Sequence, residues 1–196
     1  TLAEAAQADV LLLAVKPQNM ADLAADLAPL LKPGQLILTI AAGLPLAWYE
    51  KRLPAGLAMV RAMPNSSAAV GAAITGLMAG PLAGAADKKL AEQVFAAVGE
   101  YLWLEESEVH ALTALSGSGP AYYYYFTEAL TAAGEALGLS CQTAQTLARQ
   151  TAIGVGRLLE ARSDVPLSEL RQQVTSKGGT TAAALQVFAE DSALPR

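Results

Sequence analysis

The apolar run VLLLAV, residues 10–15, has the length of a strand and contains no polar side chain. Continuous apolar runs of this kind are typical of parallel strands that are buried on both faces. A second run, QLILTIA at 35–41, follows a segment over about 20–31 whose leucines recur at helical spacing. Asn19 is placed to cap that helix, and Pro33-Gly34 to end it. Strand, helix and strand in this order predict right-handed βαβ connections and a sheet covered by helices.

The alternation continues through the rest of the first half. The pattern predicts a short helix near 46–52, strands at about 57–62 and 72–78, and a helix that Asp87 opens and Gly99 ends. These elements extend the same α/β arrangement.

The second half has a different pattern. From Glu106 to Glu190 the apolar residues recur at helical spacing, with Gly138 as a stop and Ser140 as a cap. We therefore predict two domains, an α/β domain over 1–103 and an all-α domain over 104–196.

Composition excludes several classes of protein. Hydrophobic residues make up 53% and charged residues 16% of the 196 residues, so the chain is too apolar to be disordered. Its 13 basic and 18 acidic side chains give a formal charge of −5. A nucleic-acid partner is not expected, because that function needs a basic surface.

Cysteine and histidine are too few for several kinds of site. Cys141 and His110 each occur once, so we expect no intramolecular disulfide, no metal centre and a reducing, cytoplasmic location. The uncharged stretch 62–86 contains prolines, glycines and Asn65, which indicates loops around a strand rather than a membrane span. No signal peptide is evident at the N-terminus.

Candidate binding residues follow the predicted strands. Lys16, within Ala14-Val15-Lys16-Pro17, comes directly after the first strand, Ala42 follows the second, and Asn65 follows the third. Ligands of open α/β sheets bind outside the carboxyl ends of the strands, where a lysine can meet a phosphate or ribose. The alternative for Lys16 is the start of a solvated loop.

Two further stretches, 116–120 and 174–181, each contain two glycines. Ser116-Gly-Ser-Gly-Pro120 interrupts the helical pattern, either as a close backbone approach or as a simple turn between helices.

The tyrosines at 122–125 point in all directions on a helix, which indicates a helix buried all round, partly in a subunit interface.

The stretch VTSKGGTT at 174–181 precedes a predicted helix. Its glycines allow close backbone approach, and free N–H groups at a helix N-terminus can bind a carboxylate or phosphate. The alternative is an ordinary capped helix start. No nucleophile-and-base arrangement is visible, so a bound cofactor would have to supply the chemistry.

Taken together, five stretches resemble the Δ1-pyrroline-5-carboxylate reductase family. They are LLLAVKPQ, LTIAAG, RAMPN, LSGSGPAY and VTSKGGTT, and the resemblance covers nearly the whole chain. It implies a partial Rossmann-type domain followed by an all-α dimerisation domain. It also implies NADPH- or NADH-dependent reduction of the cyclic imine 1-pyrroline-5-carboxylate to L-proline, the last step of proline biosynthesis, by a homodimer or a ring of dimers.

Site residues carried over by this resemblance fall into two groups. The first group would line the cofactor cleft: Ala14, Val15, Lys16, Pro17, Ala42, Asn65 and Gln173. The second would bind substrate: Glu106, Ser176, Gly178, Gly179, Thr180 and Thr181. The Thr181 hydroxyl is implied to lie near the ring nitrogen and is the predicted catalytic residue.

The sequence departs from the family pattern in its ends and in one loop. The glycine-rich G-x-G-x-x-[GA] turn is not present, so we expect at least one βαβ unit, roughly 30 residues or more, before Thr1. Arg196 precedes the family's usual terminal helix. Ser66-Ser67 follows Asn65 where a Thr-Pro pair is common in the family.

Two alternative functions stay open. One is a non-catalytic, truncated chain that only dimerises. The other is a β-hydroxyacid-dehydrogenase-like reductase, although that class places a catalytic lysine in the helical half and none occurs between Lys89 and Lys177.

Overall fold

The computed structural model describes residues 1–190, and the last six residues of the predicted all-α domain lie outside the described part. The chain divides into two compact units, the first over Thr1–Tyr125 and the second from Phe126 onward.

The first unit is built on a five-stranded sheet with strand order β1-β2-β3-β4-β5. Its strands are β1 (Val10–Leu13), β2 (Leu36–Thr39), β3 (Ala58–Pro64), β4 (Ala73–Ala79) and β5 (Gly99–Trp103). β1, β2 and β3 are parallel, and Leu13, Thr39 and Arg61 lie in register across them. The α/β prediction for this half is therefore confirmed.

Helices cover both faces of the sheet. They are α1 (Leu2–Ala5), α2 (Met20–Leu27), α3 (Leu46–Glu50), α4 (Ala85–Ala96) and α5 (Val109–Leu112). One face packs Leu13 and Ile37 against α2 and α3, and the opposite face packs Leu38 and Val60 against α4. Near-complete burial of the central strands explains why their sequences are apolar without alternation.

The fourth strand differs from the expectation of βαβ connections throughout. β4 runs antiparallel to β3, with Val60 opposite Ala79 and Pro64 opposite Thr75. Only a short 3₁₀ turn, Ser66–Val70, joins them. A parallel connection needs a crossover of a dozen or more residues, so this link is too short for one.

A fifth strand, β5, was not predicted from the sequence. It pairs with β4 in parallel, and α4 makes the crossover between them. Its side chains are half-buried or exposed along the strand, so it lacks the apolar run that marks the central strands.

Two helix starts also differ from prediction. Asn19 makes no capping hydrogen bond through its side chain, because Pro17–Asn19 already form a 3₁₀ turn with Asn19 in a helical conformation. Asp87 lies in the first turn of α4 instead of opening it, and its Oδ2 accepts from the Gly84 N–H at 2.9 Å.

Helices alone form the second unit. They are α6 (Gly119–Ala136), of which the last eleven residues belong to this unit, α7 (Cys141–Ala161), α8 (Leu167–Gln173) and α9 (Thr180–Glu190). Gly138 has a φ of +95° and ends α6, and the Ser140 hydroxyl accepts from the Thr143 N–H to cap α7, as the sequence predicts.

The second unit has a small internal core and a large exposed apolar surface. Ala144 and Ala148 are buried, while Leu137, Leu147, Leu158 and many other apolar side chains are exposed. Apolar surface of this extent marks a protein interface. Among the described residues, no helix combines the length and apolarity that a bilayer crossing requires.

Candidate active site

The carboxyl ends of β1, β2 and β3 meet at one edge of the sheet, as expected for parallel strands. The residues directly after β1 and Ala42 after β2 are exposed, and Asn65 after β3 is half-buried. Four of the predicted cofactor residues follow β1: Ala14, Val15, Lys16 and Pro17. The fold thus brings these six residues to a single edge, where open α/β sheets bind their ligands.

Lys16 is the charged member of this edge. Its backbone is extended, with φ −61° and ψ 145°, as a residue before proline requires. In the part of the chain that the structure describes, no carboxylate lies within ion-pair distance of its exposed amine. The Lys16 charge is therefore available to an anionic ligand.

Two neighbouring features shape the edge. Gly43 has a φ of +79°, a conformation that favours glycine, and it turns the chain after Ala42. The Asn65 side-chain oxygen accepts from the Ser67 N–H at 3.3 Å. This bond holds the Asn65 side chain at the start of the short turn that leads to β4.

The glycine-rich stretch 116–120 follows an irregular helical turn. Residues Thr113–Gly117 form a single π-helical turn, in which the Ser118 N–H donates to the Thr113 carbonyl at 2.8 Å. A Cβ on Gly117 would come within 3.2 Å of the Met63 side chain. The turn therefore packs against the Met63 side chain at the end of β3, and the contacts of Gly117 are with side chains rather than with a second backbone.

Glu106 lies elsewhere on the first unit. Its Oε1 accepts from the Arg61 guanidinium at 3.0 Å and from the Leu46 N–H, the first residue of α3, at 2.7 Å. Both bonds tie β3, α3 and the segment after β5 together. This carboxyl oxygen is thus already engaged within the protein.

An open groove of about 590 Å³ runs beside Glu106. Glu50, Glu105, Glu106 and Glu108 line it against Lys88. This excess of negative charge disfavours a carboxylate or phosphate ligand. The groove therefore does not fit an anionic substrate.

In the second unit, the glycine loop leads directly into α9. Gly178 has a φ of +71°, and a Cβ on Gly179 would collide with the Ser176 hydroxyl. The first hydrogen bond of the helix runs from the Ala183 N–H to the Gly179 carbonyl at 3.2 Å. The N–H groups of the preceding helical residues are consequently the free donors of the helix start.

The candidate substrate residues of this loop are accessible. Ser176, Gly178 and Thr180 are exposed, and Gly179 and Thr181 are half-buried. The start of α9 combines free N–H groups with the positive end of the helix dipole, and Thr181, its second residue, adds a hydroxyl. These are the groups that bind anions at helix N-termini. The loop thus offers donors to an anion, and its role as the substrate site stays a prediction.

Gln173 ends α8 in the same unit. Its side chain is exposed, and its amide donates to Glu169 Oε1 at 3.3 Å. In the described part of the chain, no group of His, Cys, Asp and Glu side chains is suited to hold a metal.

Sequence reasoning missed two polar residues near these sites. Arg61 is buried in β3, with its side chain 6% exposed. A charged residue inside the apolar strand LAMVRA was a signal that a buried partner is needed. Ser116 has a hydroxyl shielded from solvent, which no spacing pattern could reveal.

Comparison with known proteins identifies the family. Residues 106–194 match the family model for pyrroline-5-carboxylate reductase dimerisation. The chain is 48% identical over 184 residues to pyrroline-5-carboxylate reductase of Pseudomonas aeruginosa, covering 93% of this chain and 67% of the relative. The chain belongs to the pyrroline-5-carboxylate reductase family.

Solved structures agree with this membership. A pyrroline-5-carboxylate reductase from Coxiella burnetii superposes with a TM-score of 0.91 at 38% identity, covering 98% of this chain and 72% of that one. The Plasmodium falciparum pyrroline carboxylate reductase, solved with NADP bound, gives 0.85 at 30% identity, covering 98% and 73%. The chain spans about two thirds of the length of its pyrroline-5-carboxylate reductase relatives.

Proposed function

We propose that the chain catalyses the NAD(P)H-dependent reduction of 1-pyrroline-5-carboxylate to L-proline, the last step of proline biosynthesis. The observation that carries this proposal is the 48% identity to a pyrroline-5-carboxylate reductase across 93% of the chain. This membership favours reduction over a chain that only dimerises, and an imine substrate over the 3-hydroxy acid of the other alternative.

A dinucleotide would bind at the carboxyl edge of β1–β3. Lys16 offers a charge that is not paired with any described carboxylate, and Ala14, Val15, Pro17 and Ala42 are small or apolar residues exposed beside it. The NADP-bound relative from Plasmodium falciparum supports this cofactor class. When bound, NADPH or NADH supplies the hydride. We propose Asn65 and Gln173 as further polar contacts to the cofactor.

The substrate carboxylate would bind at the start of α9. Ser176 and Thr180 would provide hydroxyl donors, and Gly178 and Thr180 would provide N–H donors. The Gly179 N–H donates to the Ser176 carbonyl at 3.1 Å, so Gly179 would contribute by having no Cβ, which leaves room for the Ser176 hydroxyl. We propose that the Thr181 hydroxyl hydrogen-bonds the ring nitrogen and holds the C=N bond in place.

The demands on the protein are modest, because a protonated imine is already electrophilic. Orientation and exclusion of water supply much of the rate in such reactions, on the order of 7–11 kcal/mol in well-oriented systems. Thr181 therefore needs only to position the nitrogen and does not have to act as a strong acid.

Glu106 was predicted to contact the substrate, and that contact stays a prediction. We propose that its main contribution is indirect. Its bonds to Arg61 and to the start of α3 fix the segment after β5 on the sheet.

Assembly and location complete the proposal. The exposed apolar side chains of α6 and α7 support a homodimer. We further propose that dimers join into a ring and that the enzyme is cytoplasmic.

We also propose that the boundary between the two functional domains lies between residues 103 and 104. The family match from residue 106 supports that boundary. The compact units divide later, because Val109 and Leu112 pack on Met78 of the sheet.

A substrate panel tests the proposal. We expect the purified enzyme to oxidise NADPH or NADH when it is given 1-pyrroline-5-carboxylate. We expect no turnover of 2-keto acids with NADPH or NADH, and no turnover of 3-hydroxy acids with the oxidised cofactor. Turnover of a 2-keto acid without turnover of the imine would overturn the assignment.

A further inference from the structure

The Ser116 hydroxyl is a buried polar group without a partner. Its Oγ is shielded from solvent, and no hydrogen bond to it is formed among the described residues. Leaving such a group unpaired is costly, and most buried polar atoms in proteins are satisfied. Such a hydroxyl is either tolerated at a cost in stability or paired with a bound ligand.

The position of Ser116 supports pairing with a bound ligand. It lies in the π-helical turn Thr113–Gly117, and such turns occur frequently at functional sites. The next residue, Gly117, lies against Met63, two positions before Asn65. Ser116 is thus held beside the edge of the sheet that ends in the proposed cofactor residues.

Charge around the turn limits the ligand. Residues 111–127 contain no charged side chain, so the turn has no cation of its own to balance a carboxylate or phosphate. A neutral polar group fits better. A serine hydroxyl both donates and accepts, which matches a primary amide with its carbonyl and NH₂ group.

We propose that the Ser116 hydroxyl hydrogen-bonds the carboxamide of the nicotinamide ring. This rests on the proposed function, which places a nicotinamide dinucleotide at the same edge. Serine has a single side-chain torsion, so a rotamer change can bring Oγ to the ligand.

The test is Ser116→Ala, measured in two ways on the purified enzyme. Without ligand, the variant loses an unpaired hydroxyl, so its Tm is expected to rise by about 2–4 °C. By calorimetry, its Kd for NADPH is expected to rise about tenfold. A purely structural serine would give a lower Tm and an unchanged Kd.

A matched control uses the other unpaired hydroxyl. Thr75 Oγ1 in β4 is also buried, and it too has no hydrogen-bond partner within residues 1–190. Thr75 lies on the same face as Leu77, opposite to the face covered by α5. Thr75→Val is expected to raise the Tm similarly and to leave the NADPH Kd unchanged.

A ligand without the nicotinamide ring locates the contact. We expect 2′-phospho-ADP-ribose to bind wild type and Ser116→Ala with equal Kd. An NADPH Kd within twofold of wild type, an equal loss of affinity for both ligands, or a lowered Tm would each overturn the inference. Failure of the proposed function is distinguishable, because it would leave the wild-type enzyme unable to reduce the imine.

Discussion

Arg61 and Glu106 form an ion pair of 3.0 Å between the third strand and the segment that follows the last strand. The Arg61 side chain is 6% exposed and the Glu106 side chain 32%. The same Glu106 oxygen caps α3 through the Leu46 N–H. One carboxylate therefore neutralises a buried cation and satisfies a helix start whose own N-cap, Pro45, has no side-chain acceptor.

Removal of this carboxylate should destabilise the first unit. Glu106→Ala leaves the Arg61 guanidinium buried without its partner and uncaps α3. We expect a loss of about 1–3 kcal/mol, less than for a fully buried pair because Glu106 is partly exposed. Urea unfolding measures the difference.

Glu105→Ala is the matched control, because the Glu105 side chain is exposed and its backbone carries the contact to Glu108. It should change the free energy of unfolding by less than about 0.5 kcal/mol. Equal stability of Glu106→Ala and Glu105→Ala would show that the ion pair and cap contribute nothing.

Cys141 should be a slow nucleophile. A hydrogen bond to Glu135 and the negative charge of that carboxylate raise the pKa of the exposed Cys141 thiol above its ordinary value. Because the thiolate is the reactive form, a raised pKa lowers the reactive fraction near pH 8. Iodoacetamide should therefore modify Cys141 more slowly than it modifies free cysteine.

Glu135→Gln should accelerate this alkylation at pH 8 and shift its pH profile to lower pH. Glu128→Gln, on the same helix, should leave the profile unchanged. Identical profiles for wild type and Glu135→Gln would contradict the assigned cause of the pKa shift.

The sequence predicted β1, β2 and β3 well and the other side of the sheet poorly. β2 and β3 are apolar because they are buried on both faces, whereas β1 is an edge strand whose Leu12 is exposed. All three are runs of mainly hydrophobic residues, which located them within about two residues. β5 is half-exposed and lacks that run. The antiparallel direction of β4 depends on the length of its connection, which an apolar pattern does not encode.

The candidate site was predictable where local chemistry defines it. The glycines and threonines of 178–181 predicted a glycine loop that leads into a helix, which the structure contains, while anion binding there stays a prediction. The common position of the residues after the strands follows from parallel topology. The partners of Glu106 could not be predicted, because Leu46 and Arg61 are 60 and 45 residues away in the chain. The burial of the Ser116 hydroxyl likewise depends on tertiary packing.

A methyl group at Gly179 should displace the Ser176 hydroxyl from its position in the loop. A Cβ at this position would collide with the Ser176 hydroxyl and fill the start of α9. Gly179→Ala is expected to raise the KM for 1-pyrroline-5-carboxylate and the Kd for L-proline at least tenfold. One lost hydrogen bond to a charged group already costs about 1.5–3 kcal/mol.

The control for this substitution is Gly84→Ala. Gly84 precedes α4 with a φ of −78°, and a Cβ there makes only ordinary contact with Asp87. Its kinetics should match wild type. A Gly179→Ala enzyme with unchanged KM and L-proline affinity would exclude the loop from the carboxylate site.

The most direct measurement of the central claim is the kcat/KM of Thr181→Ala for 1-pyrroline-5-carboxylate at saturating NADPH. The account predicts a loss of roughly 10- to 100-fold, since one hydrogen bond to the charged ring nitrogen is removed. Thr146→Ala, which loses only a hydroxyl bonded to the Gln142 carbonyl on α7, should stay within twofold of wild type. A Thr181→Ala enzyme that also stays within twofold would contradict the account.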